Sequence, residues 1–328
     1  MNLLGQDIAP LGMGCWPIGG PFFRGEQPLG YANVEDGQSL RAIHAALDGG
    51  IRLFDTAAVY GAGHAERLLG KVLKNRPDAL VITKIGIGFD ETTKQLTGAE
   101  ADADDVMPAI ERCLVRLQRD RIDLLLLHLN DLPVIQAGPV FAAMDKARQA
   151  GKIRAFGWST DFPDNASAMA GHEGFVAIEH AMNLFVDMPT MQATIEQHDL
   201  IALIRSPLAM GVLTGKYDEQ TVLQTDDVRS TNEAWRDYFH NARIKPVYLE
   251  KLHAIRDLLQ TGGRSLSQGA LCWLMAKSPR NIPIPGARTA AQMEDNIGAV
   301  AHGRLPDDVM AEIETLIRRD PEGPARAR

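Results

Sequence analysis

The sequence has little cysteine and pairs none of it. Cys15, Cys113 and Cys272 are odd in number, far apart and outside any Cys-x-x-Cys arrangement. That speaks against a disulfide framework or a thiolate metal site, so no metal is expected, and it fits a reducing, cytoplasmic setting. Long hydrophobic runs are missing too. The longest, such as Leu124–Leu127, fall far short of a bilayer span, and no basic segment followed by an apolar stretch opens the chain as a signal peptide would. There is no positive excess: the formal net charge is -8 over 328 residues, which disfavours nucleic acid or an anionic membrane as the main partner. A Gly-x-Gly-x-x-Gly turn opening a βα unit is also absent. Gly61-Ala62-Gly63 continues with the wrong spacing, and Gly12-Met13-Gly14 lies in a strand rather than after one, so a Rossmann domain is not supported.

What is present is an ordinary globular composition, 45% hydrophobic and 23% charged, with ample material for a core. Short apolar runs alternate with amphipathic stretches, the pattern of βα units around a parallel sheet. Eight strands are expected, at Leu11–Ile18, Ile51–Ala57, Leu80–Ile85, Ile122–Leu129, Ile153–Ser159, Val176–Asn183, Leu200–Ser206 and Asn281–Pro285. Several are almost continuously hydrophobic, as strands buried on both faces must be. Helical spacing fills the gaps, for example Leu40, Ile43 and Leu47, then Ala65, Leu68, Leu69, Val72 and Leu73, then Val106, Ile110, Cys113, Leu114 and Leu117. The expected fold is a (β/α)8 TIM barrel, a closed α/β architecture, formed as one domain over 1–320. A long loop follows strand seven, about forty residues before the helix near Val247–Leu259, and loops of that length usually serve a site. Additional helices precede strand eight, near Leu266–Lys277, and close the C-terminus. The tail from Pro321 to Arg328 reads as disordered.

Active sites of such barrels lie at the C-terminal ends of the strands. Strand two ends in Phe54-Asp55-Thr56-Ala57 with Tyr60 just beyond, strand three in Thr83-Lys84 and strand four in Leu127-His128. One rim therefore receives Asp55, Tyr60, Lys84 and His128. Singly, each has a plainer explanation as a cap, packing or a satisfied core histidine. Together they make chemical sense. A phenol is a poor acid at neutral pH, and a nearby ammonium should lower its pKa. A carboxylate would hold that ammonium, and an imidazole could orient a carbonyl oxygen for protonation by Tyr60.

At these residues the chain resembles the aldo-keto reductases. The matching segments are FDTAAVYG at Phe54–Gly61, ITKI at Ile82–Ile85, IDLLLLH at Ile122–His128, GKIRAFGWS at Gly151–Ser159, SPLAMGVLTGKY at Ser206–Tyr217 and IPIPGARTAAQMEDN at Ile282–Asn296. The opening LGMGCWPIGG at Leu11–Gly20 carries Gly14, Cys15 and Trp16. The segments run in order from about residue 3 to 318. The resemblance implies a catalytic tetrad of Asp55, Tyr60, Lys84 and His128, with Tyr60 as the acid, and a nicotinamide cofactor extended across the barrel mouth. It places Ser159 and Thr160 at the nicotinamide carboxamide, with Thr160 standing where an Asn is usual. Glu179 replaces the usual Gln, and Met182 stands where a stacking tyrosine is expected. Ser206, Leu208, Gly211 and Lys216 fall on a loop that covers the pyrophosphate. Gly286, Arg288, Gln292 and Asn296 fall around the adenosine end. Thr289 and Gln292 also read as a capping box, and Arg288 beside that helix start argues for NADP (NADPH) through its 2′-phosphate.

The expected partner is a small carbonyl compound, in a pocket lined by Trp16, Phe22, Phe23, the Asn183–Asp187 turn and the loop around Trp235–Phe239. The sequence leaves the oligomeric state open. Two other readings stand beside reduction: a nicotinamide-sensing regulatory subunit, and a Schiff-base lyase using Lys84 as nucleophile.

Overall fold

The computed structural model describes residues 1–232 and 237–322. Eight strands form one parallel sheet: β1 (Met13–Gly14), β2 (Leu53–Asp55), β3 (Leu80–Ile85), β4 (Ile122–Leu127), β5 (Ile153–Ser159), β6 (Phe175–Ala181), β7 (Ile201–Arg205) and β8 (Asn281–Pro283). They are ordered as they occur in the chain. The two edges meet. Gly12 and Gly14 donate to the carbonyls of Pro283 and Pro285 at 3.0 Å each, and Gly14 bridges Gly286 in parallel, so the sheet closes into a barrel. Gly14 is required at the seam, because a Cβ there would lie 2.5 Å from the Ile284 carbonyl oxygen.

The continuous hydrophobic runs resolve into two faces once the two-residue strand period is applied. In β4, Leu124 and Leu126 belong to the interior cluster with Leu53, Leu80, Ile82, Ala155, Ala177, Leu203 and Ile282, whereas Leu125 and Leu127 pack outward under the helices. An N-terminal hairpin, Asn2–Leu3 with Gln6–Asp7, plugs the bottom of the barrel with Leu3 and Ile8.

The helical layer comprises α1 (Asp36–Asp48), α2 (His64–Leu73), α3 (Ala103–Leu117), α4 (Val134–Gln149), α5 (Pro163–Met169), α6 (Pro189–Gln197), α7 (Pro246–Leu259), α8 (Leu266–Lys277), α9 (Ala290–His302) and α10 (Asp307–Leu316). The helix before the last strand is α8. It is buried on nearly every side and starts at a Ser265/Gln268 capping box. Past α10, the carboxylate of Glu322 accepts from the amides of Thr190 and Met191 at the start of α6. Residues 323–328, most of the tail read as disordered, lie outside the described residues.

Some expectations need correction. The first strand is far shorter than Leu11–Ile18, because Pro17 opens a helical turn over Trp16–Gly19. Of four hairpins among the described residues that escaped notice, two are Phe23–Arg24 with Gln27–Pro28 and Ile87–Phe89 with Leu96–Ala99. These two stand over one side of the barrel mouth. Among the described residues, no helix is long and apolar enough to cross a membrane.

Candidate functional site

Strand parity builds the floor of the site. Continuing each inward-facing row upward by two residues takes Leu53 to Asp55, Ile82 to Lys84, Leu126 to His128, Ala177 to Glu179 and Leu203 to Arg205. On β5 the row runs from Ala155 through Gly157 to Ser159. The top layer of the barrel is thus polar and charged over an apolar interior.

A charge buried there must be paired. Lys84 is 1% exposed. Its Nζ donates to both oxygens of Asp55 at 2.6 and 2.8 Å and to the Thr56 carbonyl at 2.9 Å. It also lies 3.0 Å from Oε2 of Glu179. Burial alone would lower its pKa, but Asp55 and Glu179 outweigh burial and hold it above the ordinary lysine range. Asp55 is pushed well above the carboxylate range by burial and by Glu179, against the pull of Lys84. An ammonium so tightly held has no lone pair to attack a carbonyl, which argues against a Schiff-base lyase.

Tyr60 reaches the rim on the loop after β2. Gly61 turns that loop at φ +61°, where a Cβ would lie 1.8 Å from the Gly19 carbonyl oxygen, so the Tyr60 turn sits directly on the Trp16–Gly19 turn. The Trp16 ring stacks on Tyr60 at 6.1 Å, and His128 stands edge-on to it at 5.9 Å. Lys84 Nζ is 5.2 Å from the Tyr60 ring centre. Lys84 does lower the phenol pKa, as expected, but other effects outweigh it. Burial raises it, Lys84 lowers it, Asp55 and Glu179 raise it again, and the phenol ends above its ordinary range. His128 is pushed well below the ordinary imidazole range by burial, with Lys84 and Arg205 adding to it, so the ring is neutral.

The other end of the site is cationic. After β7 the chain turns through Ser206, Ala209 and Met210, all at positive φ, and through Gly211 at φ +98°. This turn brings Lys216 back over Gly211, whose missing Cβ would lie 3.0 Å from the lysine Cε. Arg229 lies between the rings of Tyr31 and Tyr217 and makes a two-point pair with Asp227, at 2.7 and 2.6 Å. The guanidinium of Arg288 donates to the Ala32 carbonyl at 3.2 Å. The Lys216 ammonium is held down to about 8 by burial and by the neighbouring cations Arg229 and Arg288. Its side chain as a whole remains substantially exposed at the cavity mouth. At the start of α9 the capping box is shared differently from expectation. Thr289 accepts from the Gln292 amide at 3.2 Å, but the Gln292 side chain accepts from the Arg288 amide at 2.9 Å.

One cavity of about 550 Å³ joins the two ends. From the sequence reading it takes Gly14, Trp16, Asp55, Tyr60, His128 and Glu179 at one end. Ser206, Leu208, Gly211, Lys216, Gly286, Arg288, Gln292 and Asn296 line the rest of it. Lys84 sits beneath, behind its two carboxylates. Three expected binding residues do not line the cavity. Cys15 is fully buried with its thiol against the Met13 carbonyl. Thr160 donates to the Asn130 carbonyl at 2.7 Å. Ser159 reaches the site only through Glu179, to which it donates at 3.3 Å.

Met182 is also corrected as the place of a stacking group. It is fully buried in the outer core, and Arg205, paired with Asp161, lines the cavity instead. The Asn183–Asp187 turn is not in the wall either, since Asn183 is fully buried and donates to Ser206 and Tyr238. Phe239 is buried, and Trp235 lies outside the described residues. The apolar wall comes from Trp16, Phe22, Leu29, Val59, Ile87 and Leu96, largely on the two overlooked hairpins. Arg229 was also missed, since it lies in the long loop after β7, where no periodicity marks it.

With this geometry in place, comparison with known proteins is direct. The model of the Aldo/keto reductase family matches residues 10–318. The aldo-keto reductase YhdN of Bacillus subtilis is 29% identical, covering 98% of this chain and 94% of that protein. The solved glycerol dehydrogenase AKR11B4 of Gluconobacter oxydans superposes with a TM-score of 0.80 at 28% identity, covering 97% of this chain and 94% of that one. An aldo/keto reductase of Klebsiella pneumoniae solved with NADP and acetate shares the fold, with a TM-score of 0.71 at 21% identity and coverage of 97% and 94%.

Proposed function

We propose a function from one premise: the chain belongs to the aldo/keto reductase family and is an oxidoreductase. On this reading it reduces an aldehyde or ketone to an alcohol, with NADPH as reductant, Tyr60 as proton donor and 1–320 acting as one catalytic unit. The observation that carries the proposal is the meeting of a protonated phenol, Tyr60, and a neutral imidazole, His128, in one cavity with a cationic far end.

The cavity fits a phosphorylated dinucleotide. Lys216, Arg229 and Arg288 outnumber the carboxylates here, Asp227 paired with Arg229 and Asp295 in the lining, and the depressed Lys216 ammonium is what an anion there would relieve. Lys216 and Arg229 would hold the pyrophosphate, and Arg288 the 2′-phosphate at the start of α9, where backbone amides also favour an anion. Glu179 would accept from the carboxamide NH₂. Bound there, the nicotinamide supplies hydride to the carbonyl carbon.

The protein's own residues manage the proton. His128 is neutral, and its buried Nδ1 has no hydrogen-bond partner among the described residues. We assign its proton to Nε2, which then donates to the carbonyl oxygen and orients it. Tyr60 transfers its proton to that oxygen as negative charge develops, and Lys84 stabilises the phenolate left behind. The apolar wall excludes water from this end and favours a carbonyl flanked by hydrocarbon or an aromatic ring.

Tyr60→Phe is the test. It should keep NADPH affinity and lose reduction by about 10²–10⁴-fold, the usual worth of general acid catalysis. Turnover within a few-fold of wild type would remove Tyr60 as the acid.

A further inference from the structure

The lysine of the site has two carboxylates rather than one. Four oxygens surround Nζ of Lys84: two from Asp55, the Thr56 carbonyl and Oε2 of Glu179. An ammonium has three hydrogens. Asp55 and Thr56 take them, and Oε2 of Glu179, though 3.0 Å away, receives none in good geometry. Glu179 is 1% exposed, and its other oxygen accepts a 3.3 Å bond from Ser159. A carboxylate this buried is expensive, and the charge of Lys84 is its principal compensation.

We propose that Glu179 is a positioning residue: it claims part of the Lys84 ammonium that would otherwise serve Tyr60, and so holds the phenol in its proton-donating form. The inference rests on the reading of Tyr60 as the acid. With Asp55 alone, the pair beside Tyr60 would be neutral. With Glu179 facing the same Nζ, two carboxyl groups draw on one ammonium, and the cost of a phenolate beside them rises. The groups facing this cluster are Cys15 after β1, Asp55 on β2, Tyr60 on its loop, His128 after β4 and Arg205 on β7. Cys15 and His128 are buried and neutral, and Arg205 is neutralised by Asp161, so none of them cancels the second carboxylate. Reduction needs the phenol and oxidation needs the phenolate. Glu179 therefore extends the pH range of reduction upward.

Glu179→Gln keeps size and an acceptor but removes the charge. The alkaline limb of carbonyl reduction should move to lower pH by about one pH unit or more, the usual effect of a charge at this range. Glu179→Asp keeps the charge and should return the limb to its wild-type position. A readout without turnover is the tyrosinate absorbance of the cofactor-free protein, titrated against Tyr60→Phe to isolate Tyr60. In the wild type Tyr60 should ionise above the ordinary phenol value of about 10, and in Glu179→Gln at lower pH than in the wild type. Coincident limbs and coincident titrations in wild type and Glu179→Gln, with Tyr60→Phe inactive, would overturn the role of Glu179 and leave the acid intact. An active Tyr60→Phe would overturn the acid itself. If Glu179→Gln does not fold, the wild-type difference titration decides alone, and ionisation of Tyr60 at or below about 10 refutes the inference.

Discussion

Replacing Arg288 by Ala should separate the two nicotinamide cofactors. The 2′-phosphate is their only difference, and Arg288 is the cation placed just ahead of α9, where the backbone amides of the helix start add to its pull. The guanidinium is anchored at one nitrogen by the Ala32 carbonyl, so little freedom is lost when its other donors meet an anion. A charge-assisted contact of this kind contributes about 1.5–3 kcal/mol, or about 10–150-fold in affinity. Arg288→Ala should weaken NADPH by that factor and leave NADH nearly unchanged. The Ala32 bond is lost with it, so Arg288→Lys is the control: it restores a charge without the planar fork and should recover only part of the NADPH affinity. Dissociation constants for both cofactors, measured by fluorescence quenching at two salt concentrations, decide the matter, because only the phosphate contribution should shrink with salt. Equal losses for the two cofactors would mean that Arg288 merely holds the loop at Ala32. A wild-type preference for NADH would refute the assignment outright.

Two further outcomes follow from the titrating groups. Lys216 is held down to about 8 by burial and by Arg229 and Arg288, so at pH 9 NADPH binding should take up a substantial part of one proton. Calorimetry in buffers of different ionisation enthalpy should show this uptake in the wild type and lose it in Lys216→Met; a wild-type enthalpy independent of buffer would count against the site. His180 is fully buried between Gln192 and the Ala181 carbonyl and is held down to about 4, chiefly by burial. Unfolded imidazole titrates near 6.5, so between the two values the unfolded chain binds more protons, and stability is full above that window and falls as the pH drops through it, by up to about 3 kcal/mol. Denaturant midpoints at pH 7 and 4.5 should converge in His180→Gln relative to wild type, and an unchanged acid loss would refute the contribution.

The eight-stranded barrel was legible because burial on both faces forces continuous apolar runs, and no other common chain element of four to eight residues demands them. The rim residues Asp55, Tyr60, Lys84 and His128 were legible because each lies at the end of such a run or on the loop that leaves it. Glu179 was read at the nicotinamide carboxamide rather than beside Lys84, although the same two-residue count that carries Ile82 to Lys84 carries Ala177 to Glu179 and Leu203 to Arg205. Met182 lies one residue off that inward count, so its side chain faces the outer core and not the cavity. Arg229 and the two hairpins lay beyond reach for another reason. Their positions depend on contacts across long loops, such as the Arg229 guanidinium between Tyr31 and Tyr217, and a loop carries no period from which to read its partners.

The distribution of charge along the cavity carries a functional argument that neither end carries alone. The chain is acidic as a whole, with a net charge of -8, yet Lys216, Arg229 and Arg288 are gathered at one end of the groove. At the other end Asp55 and Glu179 surround a single ammonium. The two sets are carried by different parts of the chain. The carboxylates stand on barrel strands and are fixed by sheet register, whereas the cations stand on the loop after β7 and the turn before α9. A dinucleotide is polar in the same sense, with its phosphates toward one end and an uncharged or cationic ring at the other. Reversed entry would set phosphates beside Asp55 and Glu179, which already share the one ammonium of Lys84. On the proposed reading, the groove would therefore select the orientation of its cofactor by charge, with the reactive ring beside Tyr60.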